Sequence, residues 1–325
     1  MAKTSVKDKE ASNLKDRAVF FIAFIILLIL LDIISKGRYL TASNIKSLIT
    51  QSVVPTFIAW GMCFIFTTGV MDLSIGAIMI LASNMGGTLA VSLGFGYPGL
   101  IIGSILAAVI LQTINLTLFT KANIPSWVAG LGMAMIYESV GSVYSSHMIS
   151  LGKQAVDLGN KCRALGASPV NMIVWIIGLV IAYIIFNRTS AGLNIRAIGG
   201  NKAVSKMMGI NIEKAIIISG MIGGVFLGLA SAINESYSGR IMPVTGLSSI
   251  ASIFTSLAIL FLAQSFESKV NLTIGVLFSA FLISSLFNVL TILGVPSGTW
   301  QEVCLGISII FFGILSQRGN KGVSK

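Results

Sequence analysis

The residues whose chemistry costs most where they stand are carboxylates. Asp72, Glu138, Glu235, Glu267 and Glu302 lie within or beside long apolar runs, and Asp32 lies near the end of another. A charge in hydrocarbon is expensive, so such a group is either tied to partners or lines a water-filled path. Asp72 stands two residues before Ser74 at an expected helix start. There a carboxylate accepts backbone N–H bonds and meets the positive end of the helix dipole. Its two readings are a structural cap and a group in a permeation path. Glu138 lies inside an apolar stretch and has three readings: it faces a water-filled passage, pairs with a basic residue, or stays protonated. Glu235, Glu267 and Glu302 fall at span ends, where water is expected to reach them. Asn84, Gln112, Asn115 and Asn288 are amides within apolar stretches, and they either bond between helices or line a passage.

Other chemistry is scarce. The sequence has no H-E-x-x-H, no G-x-S-x-G and no Walker lysine motif. Gly199-Gly200 is not a phosphate loop, because no strand precedes it and no G-K-[ST] follows. Hydrolysis of ATP by that route is therefore not expected of this chain, and no catalytic residue is assigned. Cys63 and Cys304 fall in apolar segments and Cys162 in a loop, with no C-x-x-C spacing, so neither a metal site nor a redox pair is expected. The single histidine, His147, lies near a span end and reads as interfacial or packing.

The elements that must position these residues follow from composition. Of 325 residues, 55% are hydrophobic and 10% charged, with a mean hydropathy of +0.92. A soluble protein carries about 25% charged residues. These figures exclude a soluble enzyme, a disordered chain and a disulfide-framework domain, and leave a polytopic all-α membrane protein. Each span must be helical, because lipid offers backbone groups no partner. Ten spans are expected, at 18–34, 52–69, 73–93, 99–119, 124–144, 168–187, 213–233, 246–265, 270–290 and 300–316. They form one domain over 18–316 between polar tails at 1–17 and 317–325. The first apolar run is too long for a signal-peptide core and lacks a small-residue cleavage site, so it is read as a retained helix.

The net charge of +11 comes from 22 Lys and Arg against 11 Asp and Glu. The basic residues sit in short loops rather than among aromatics in a soluble patch, so no nucleic-acid partner is expected. With the N-terminus inside, about two-thirds of them fall in inside segments, which places both termini in the cytoplasm. The connection from Gly37 to Gln51 would lie outside, with a short interfacial helix after an Asn44 cap. Glycines recur at helical spacing, as in Gly220-x-x-Gly223-Gly224-x-x-x-Gly228, where close helix packing is the expected use.

Related landmarks recur in the two halves. Asp72-Leu73-Ser74-Ile75 opens the third span and Gly246-Leu247-Ser248-Ser249 the eighth. Ile124-Pro125-Ser126 opens the fifth and Val295-Pro296-Ser297 precedes the tenth. An offset of five spans reverses orientation, so this suggests an inverted repeat of spans two to five and seven to ten. A competing local match, Asn271-Leu272-Thr273-Ile274-Gly275 against Asp72-Leu73-Ser74-Ile75-Gly76, fails on register and reads as two helix starts with good caps.

The segment Arg188–Lys214 is the one sizeable inside connection between spans. Its glycine pair permits a sharp turn. Asn201 is expected to cap a short helix from Lys202 to Met208, which Gly209 ends. Such a turn–helix–turn on the cytoplasmic face has the shape of something that docks into a partner's groove.

Here the residues resemble a family. Ala191 to Ala203, reading AGLNIRAIGGNKA, and Gly209-Ile210-Asn211 are similar to the cytoplasmic signature of permease subunits of bacterial ABC importers for simple sugars, the ribose, galactoside and arabinose type, with autoinducer-2 permeases close by. Asn44-Ile45, Gln51-Ser52-Val53, Ala59-x-Gly61-Met62 and Gly69-x-x-Asp72-Leu73-Ser74-x-Gly76-Ala77 support the likeness. So do Pro125 with Leu131-Gly132-Met133, Arg240 with Pro243 and Gly246, and Leu293-Gly294-Val295 with Trp300-Gln301. The likeness covers about residues 40–316. It implies an ATP-driven permease in a bacterial plasma membrane, for a sugar or sugar-like solute. It also implies three partners besides membrane lipid: a cytoplasmic ABC ATPase that binds ATP and Mg, an extracytoplasmic solute-binding protein, and a second permease subunit in a homodimer or heterodimer. Coupling to the ATPase would fall to Ala197, Ile198, Gly199, Gly200, Asn201, Ala203, Met208 and Gly209. The pathway candidates are Asp72, Ser74, Asn115 and Glu138. Three stretches depart from the family pattern. Glu138-Ser139 stands where Arg-Gly is common, Ser248-Ser249 where a Glu is usual, and Phe261 to Lys269 where a Gly-rich stretch is usual. Such departures suit one half of a heterodimer. The rival readings are an ion-coupled secondary transporter using Asp72 or Glu138, a nucleoside permease of the same superfamily, and a membrane-embedded enzyme.

Overall fold

A computed structural model describes residues 21–320 except Ala23, Asn123, 151–157, Arg240 and Ser297. The expected tail at 1–17, residues 321–325 and the matched Arg240 lie outside the described residues. Helices and turns make up the described chain. In order the helices are α1 (Phe24–Ile34), α2 (Ala42–Thr67), α3 (Ile75–Val91), α4 (Gly96–Ala122), α5 (Ser126–Ser150) and α6 (Val170–Arg188). There follow α7 (Ser190–Gly200), α8 (Lys202–Met207), α9 (Ile212–Ser238), α10 (Ala251–Ser265), α11 (Leu272–Ile292) and α12 (Thr299–Asn320). Each of the ten expected spans coincides with one helix. Six, namely α2, α4, α6, α9, α11 and α10 with its leading turn, are long and apolar enough to cross a membrane, while α1, α3 and α12 carry shorter apolar stretches.

The glycine stripe of α9 explains why that helix sits at the centre, against α4 on one side and α2 on the other. A Cβ on Gly224 or Gly228 would come within 2.8 and 2.4 Å of the α4 backbone at Val109 and Ile105, and one on Gly223 would meet the Gly61 carbonyl of α2 at 3.0 Å. Only glycine lets these backbones approach so closely. Beside them an aromatic cluster of Phe57, Trp60, Phe64, Phe186 and Phe226 fills the core, with Phe64 stacked on Phe226 at 5.5 Å. Trp60 Nε1–H donates to the Thr273 carbonyl at 2.9 Å, which satisfies the one polar atom of that buried ring.

The two halves pack alike. α4 lies on α9 as α11 lies on α2, α3 on α4 as α10 on α11, α3 on α9 as α10 on α2, and α3 on α5 as α10 on α12. The α2–α9 contact is its own counterpart.

The region after Gly37 differs from expectation. There is no separate interfacial helix, and α2 runs unbroken from Ala42 through Pro55 to Thr67. Asn44 is not a cap. Its side chain exchanges two hydrogen bonds of 2.9 Å with Asn288 of α11 and donates a third to the Tyr39 carbonyl. That cross-helix pair draws the first turns of α2 into the bundle. Glu235 also differs, being fully buried instead of solvated. The segment 158–169 folds over the end of α9. Gly166 N–H donates to Ser236 Oγ at 2.8 Å, and Leu158 N–H donates to the Gly239 carbonyl at 3.0 Å. Glu267 and Glu302 are exposed, as their positions suggested.

Candidate functional site

Asp72 sits in the link between α2 and α3 and is 1% exposed. Oδ1 accepts from Ser74 N–H and Ser74 Oγ, both at 2.8 Å. Oδ2 accepts from two amides of α4, Gln112 Nε2 at 2.6 Å and Asn115 Nδ2 at 2.7 Å. Asn115 Nδ2 also reaches Ser74 Oγ at 2.9 Å. The carboxylate thus holds the turn that leads into α3 and bolts it to α4, with both oxygens doubly bonded. Charge-assisted bonds are about twice as strong as neutral ones, and here they lie in a low-dielectric interior. Asn271 repeats the local half of this geometry at α11, where its Oδ1 accepts from Thr273 N–H at 3.1 Å and Thr273 Oγ1 at 2.7 Å. The competing sequence match is therefore a match of caps.

Glu138 is 4% exposed on α5. Its Oε2 accepts from Leu247 N–H and its Oε1 from Ser249 N–H, both at 2.8 Å. Both partners are backbone donors at the turn that opens α10. Two departures from the family pattern, Glu138 and Ser248-Ser249, are thereby one contact. Leu247 carries φ +63°, so the carboxylate holds a turn in the left-handed region, where a non-glycine residue is strained. α5 serves both helix starts. Ser126 Oγ accepts from Met71 N–H at 3.0 Å, and a Cβ on Gly130 would stand 2.6 Å from Leu73 N. The two starts meet where Gly76 presses on Ser249, whose carbonyl would lie 2.1 Å from any Cβ there.

The expected cytoplasmic segment contains two helices. α8 runs from Lys202 to Met207, with Asn201 Oδ1 accepting from Ala203 N–H at 3.0 Å and Val204 N–H at 3.1 Å. Gly209 ends it at φ +83°. α7, absent from the sequence reading, fills the stretch before it. Thr189 Oγ1 caps α7 by accepting from Gly192 N–H at 3.2 Å, and Ile195 and Ile198 bury its inner face. The glycine pair is helical and not a turn. Gly199 is required by contact, since a Cβ there would stand 2.1 Å from the Thr67 carbonyl at the end of α2. Arg196 lies over the Phe186 ring at 5.6 Å, which ties α7 to the aromatic core. Asn211 then caps α9 through Lys214 N–H at 2.9 Å. The outer surface is apolar and basic: Met207 is 79% exposed, Met208 74% and Val204 44%, beside Lys202 and Lys206.

The structure brings Asp72, Ser74 and Asn115 into one cluster. It leaves Glu138 in the middle of α5, bonded to the turn that opens α10, and Ala197 to Gly209 on α7, α8 and the turn after them. Sequence reasoning passed over three participants. Gln112 was one polar residue among several, Gly76 was read only as a letter of the run after Asp72, and Gly130 was an ordinary glycine in a glycine-rich chain. No local signal marks them, because their partners lie 40 or more residues away in the chain for Gln112 and on other helices for the glycines.

The sequence pattern of a family described as branched-chain amino acid transport system / permease component matches residues 44–313. The ribose import permease protein of Bacillus subtilis is 29% identical over 305 residues, covering 92% of each chain. The xylose transport system permease protein of Haemophilus influenzae is 24% identical, covering 93% of this chain and 96% of its own. The galactose/methyl galactoside import permease protein of Escherichia coli is 26% identical, covering 89% and 91%. No solved structure matches significantly.

Proposed function

Because the chain belongs to the family of branched-chain amino acid transport system / permease components, we propose that it is the membrane permease subunit of an ATP-driven importer for a sugar or sugar-like solute. The relatives named above are sugar permeases of similar length, and that supports the solute class. In this reading the ten helices α1–α6 and α9–α12 cross a bacterial plasma membrane and both termini face the cytoplasm. The four matched packing pairs support an inverted repeat of α2–α5 and α9–α12. ATP and Mg are bound by a separate ATPase, a solute-binding protein delivers the sugar from outside, and a second permease completes the pathway. The transition is rigid-body rocking, in which α7 and α8 transmit movement of the ATPase into α2 and α9.

One observation carries the coupling role. A capped helix at the edge of the bundle presents Val204, Met207 and Met208 outward, and its neighbour α7 is locked to the end of α2 through Gly199. An apolar helix face of this kind suits a groove in a partner. Asp72 and Glu138 contribute in a different way. Their oxygens are occupied by internal donors, which suits anchors of helix starts better than ion carriers.

The test is Ala203→Pro. Proline removes the N–H that donates to Asn201 Oδ1 and bars Lys202 from helical geometry. Membrane insertion and detergent stability should match the parent, while co-purification of the ATPase and ATP-dependent uptake should be lost. Unchanged uptake would count against the assignment.

A further inference from the structure

A cleft of about 660 Å³ opens between α10, α11 and α12, and the carboxylate network does not reach it. Its lining includes Phe254, Thr255, Phe287, Gln301, Glu302 and Leu305. The size falls within the range of about 300–1,000 Å³ typical of small-molecule sites. Its chemistry is mixed. Phe254 is 41% exposed beside it, and Glu302 is an exposed carboxylate in the first turn of α12. Gln301 Nε2 donates to Thr291 Oγ1 at 3.1 Å, which fixes the amide at the cleft. Gln301 and Glu302 stand at the span end, where water is expected to reach the mouth of the cleft, and Leu305 continues its wall inward. The other side of α12 contrasts with it: Ile307, turned away from the cleft, is 62% exposed and purely apolar, as a lipid-facing residue should be.

We infer that this cleft is the permease's own contact site for a neutral polyhydroxylated solute. The inference rests on the sugar-import reading and adds the residues. An aromatic face takes the C–H side of a pyranose or furanose ring, and the Glu302 carboxylate accepts from its hydroxyls. The Thr255 hydroxyl and the Gln301 amide complete a set rich in acceptors. Such a site requires no cation and no metal. It also differs from the Asp72 cluster, where both carboxylate oxygens are taken up by internal donors.

Two arms test it on the full chain. In the first, the chain is reconstituted in liposomes with its ATPase and binding protein and supplied with labelled ribose, xylose or galactose. Phe254→Ala and Glu302→Gln should each lower uptake about tenfold, the loss expected for one strong contact, with ATP hydrolysis retained. In the second, Cys63, Cys162 and Cys304 are replaced by Ser, and Phe254→Cys, Glu302→Cys and Ile307→Cys are exposed to a charged, membrane-impermeant thiol reagent. The first two should react and be slowed by the transported sugar, and Ile307→Cys should not react. Parent-level uptake in both cleft variants would overturn the cleft while leaving the sugar reading intact. Labelling of Glu302→Cys as poor as that of Ile307→Cys would overturn it too, because lipid or a second copy would then cover the cleft. No uptake of any of the three sugars by the parent would overturn the sugar reading and the cleft assignment with it.

Discussion

The Asp72 cluster and the α7–α8 edge use polar groups in opposite ways. Around Asp72 every bond is turned inward: two oxygens take four donors from the α3 start and from α4, at 1% exposure. At α7–α8 the polar groups are spent on caps, by Thr189, Asn201 and Asn211, and the apolar side chains are left outside. The first arrangement fixes helices relative to one another. The second holds a small helix rigid while leaving its face unpartnered. The difference separates two uses of polar groups: the buried carboxylates are committed to the bundle, and the exposed apolar surface lies on α8.

Breaking the first region should remove folded protein. Asp72→Ala leaves Gln112 and Asn115 aimed at nothing in a buried site, so we expect a loss of about 3–5 kcal/mol, read as collapse of the monodisperse peak and of the melting temperature in detergent. Gly199→Val tests the join between the regions. Its Cβ collides with the Thr67 carbonyl, and we expect about 1–3 kcal/mol of destabilisation together with impaired uptake, because backbone shifts are needed to relieve overpacking. Glu138→Gln keeps one backbone acceptor and loses the other, leaving an N–H of Leu247 or Ser249 unpaired. A loss of about 1–3 kcal/mol is expected, smaller than for Asp72→Ala, with faster proteolysis near 239–250 as a second readout. The smallest effect on stability should come from Met207→Ala with Met208→Ala. These are surface positions, so stability should stay within about 0.5 kcal/mol, while ATPase association measured by pull-down weakens severalfold. A stability loss in that double variant equal to that of Asp72→Ala would erase the contrast.

Much of this was legible in the sequence for a physical reason. The Asn201 cap and the Gly209 stop are local, set by residues two to eight apart, and α8 appears within one residue of its expected end. The glycine stripe of α9 was readable as packing because its spacing alone places it on one face. Asp72 was readable as a cap through Ser74, but its bolting to Gln112 and Asn115 depends on which face α4 turns toward it. α7 was hidden because Gly199-Gly200 signals a turn locally, and the close approach of α2 overrides that signal. Glu235 looked solvated because span ends usually are, whereas the 158–169 segment folds back over that end of α9 from elsewhere in the chain. Glu138 and Ser248-Ser249 read as separate departures, and only their contact joins them.

The most direct test of the central claim is sugar uptake into liposomes holding this chain, its ATPase and its binding protein, with ATP and ion gradients varied independently. The account predicts that uptake stops when ATP is withheld and continues at the same rate after proton and sodium gradients are dissipated by ionophores. Uptake that continues without ATP and collapses with either gradient would contradict it, and would return Asp72 or Glu138 to the role of ion carrier.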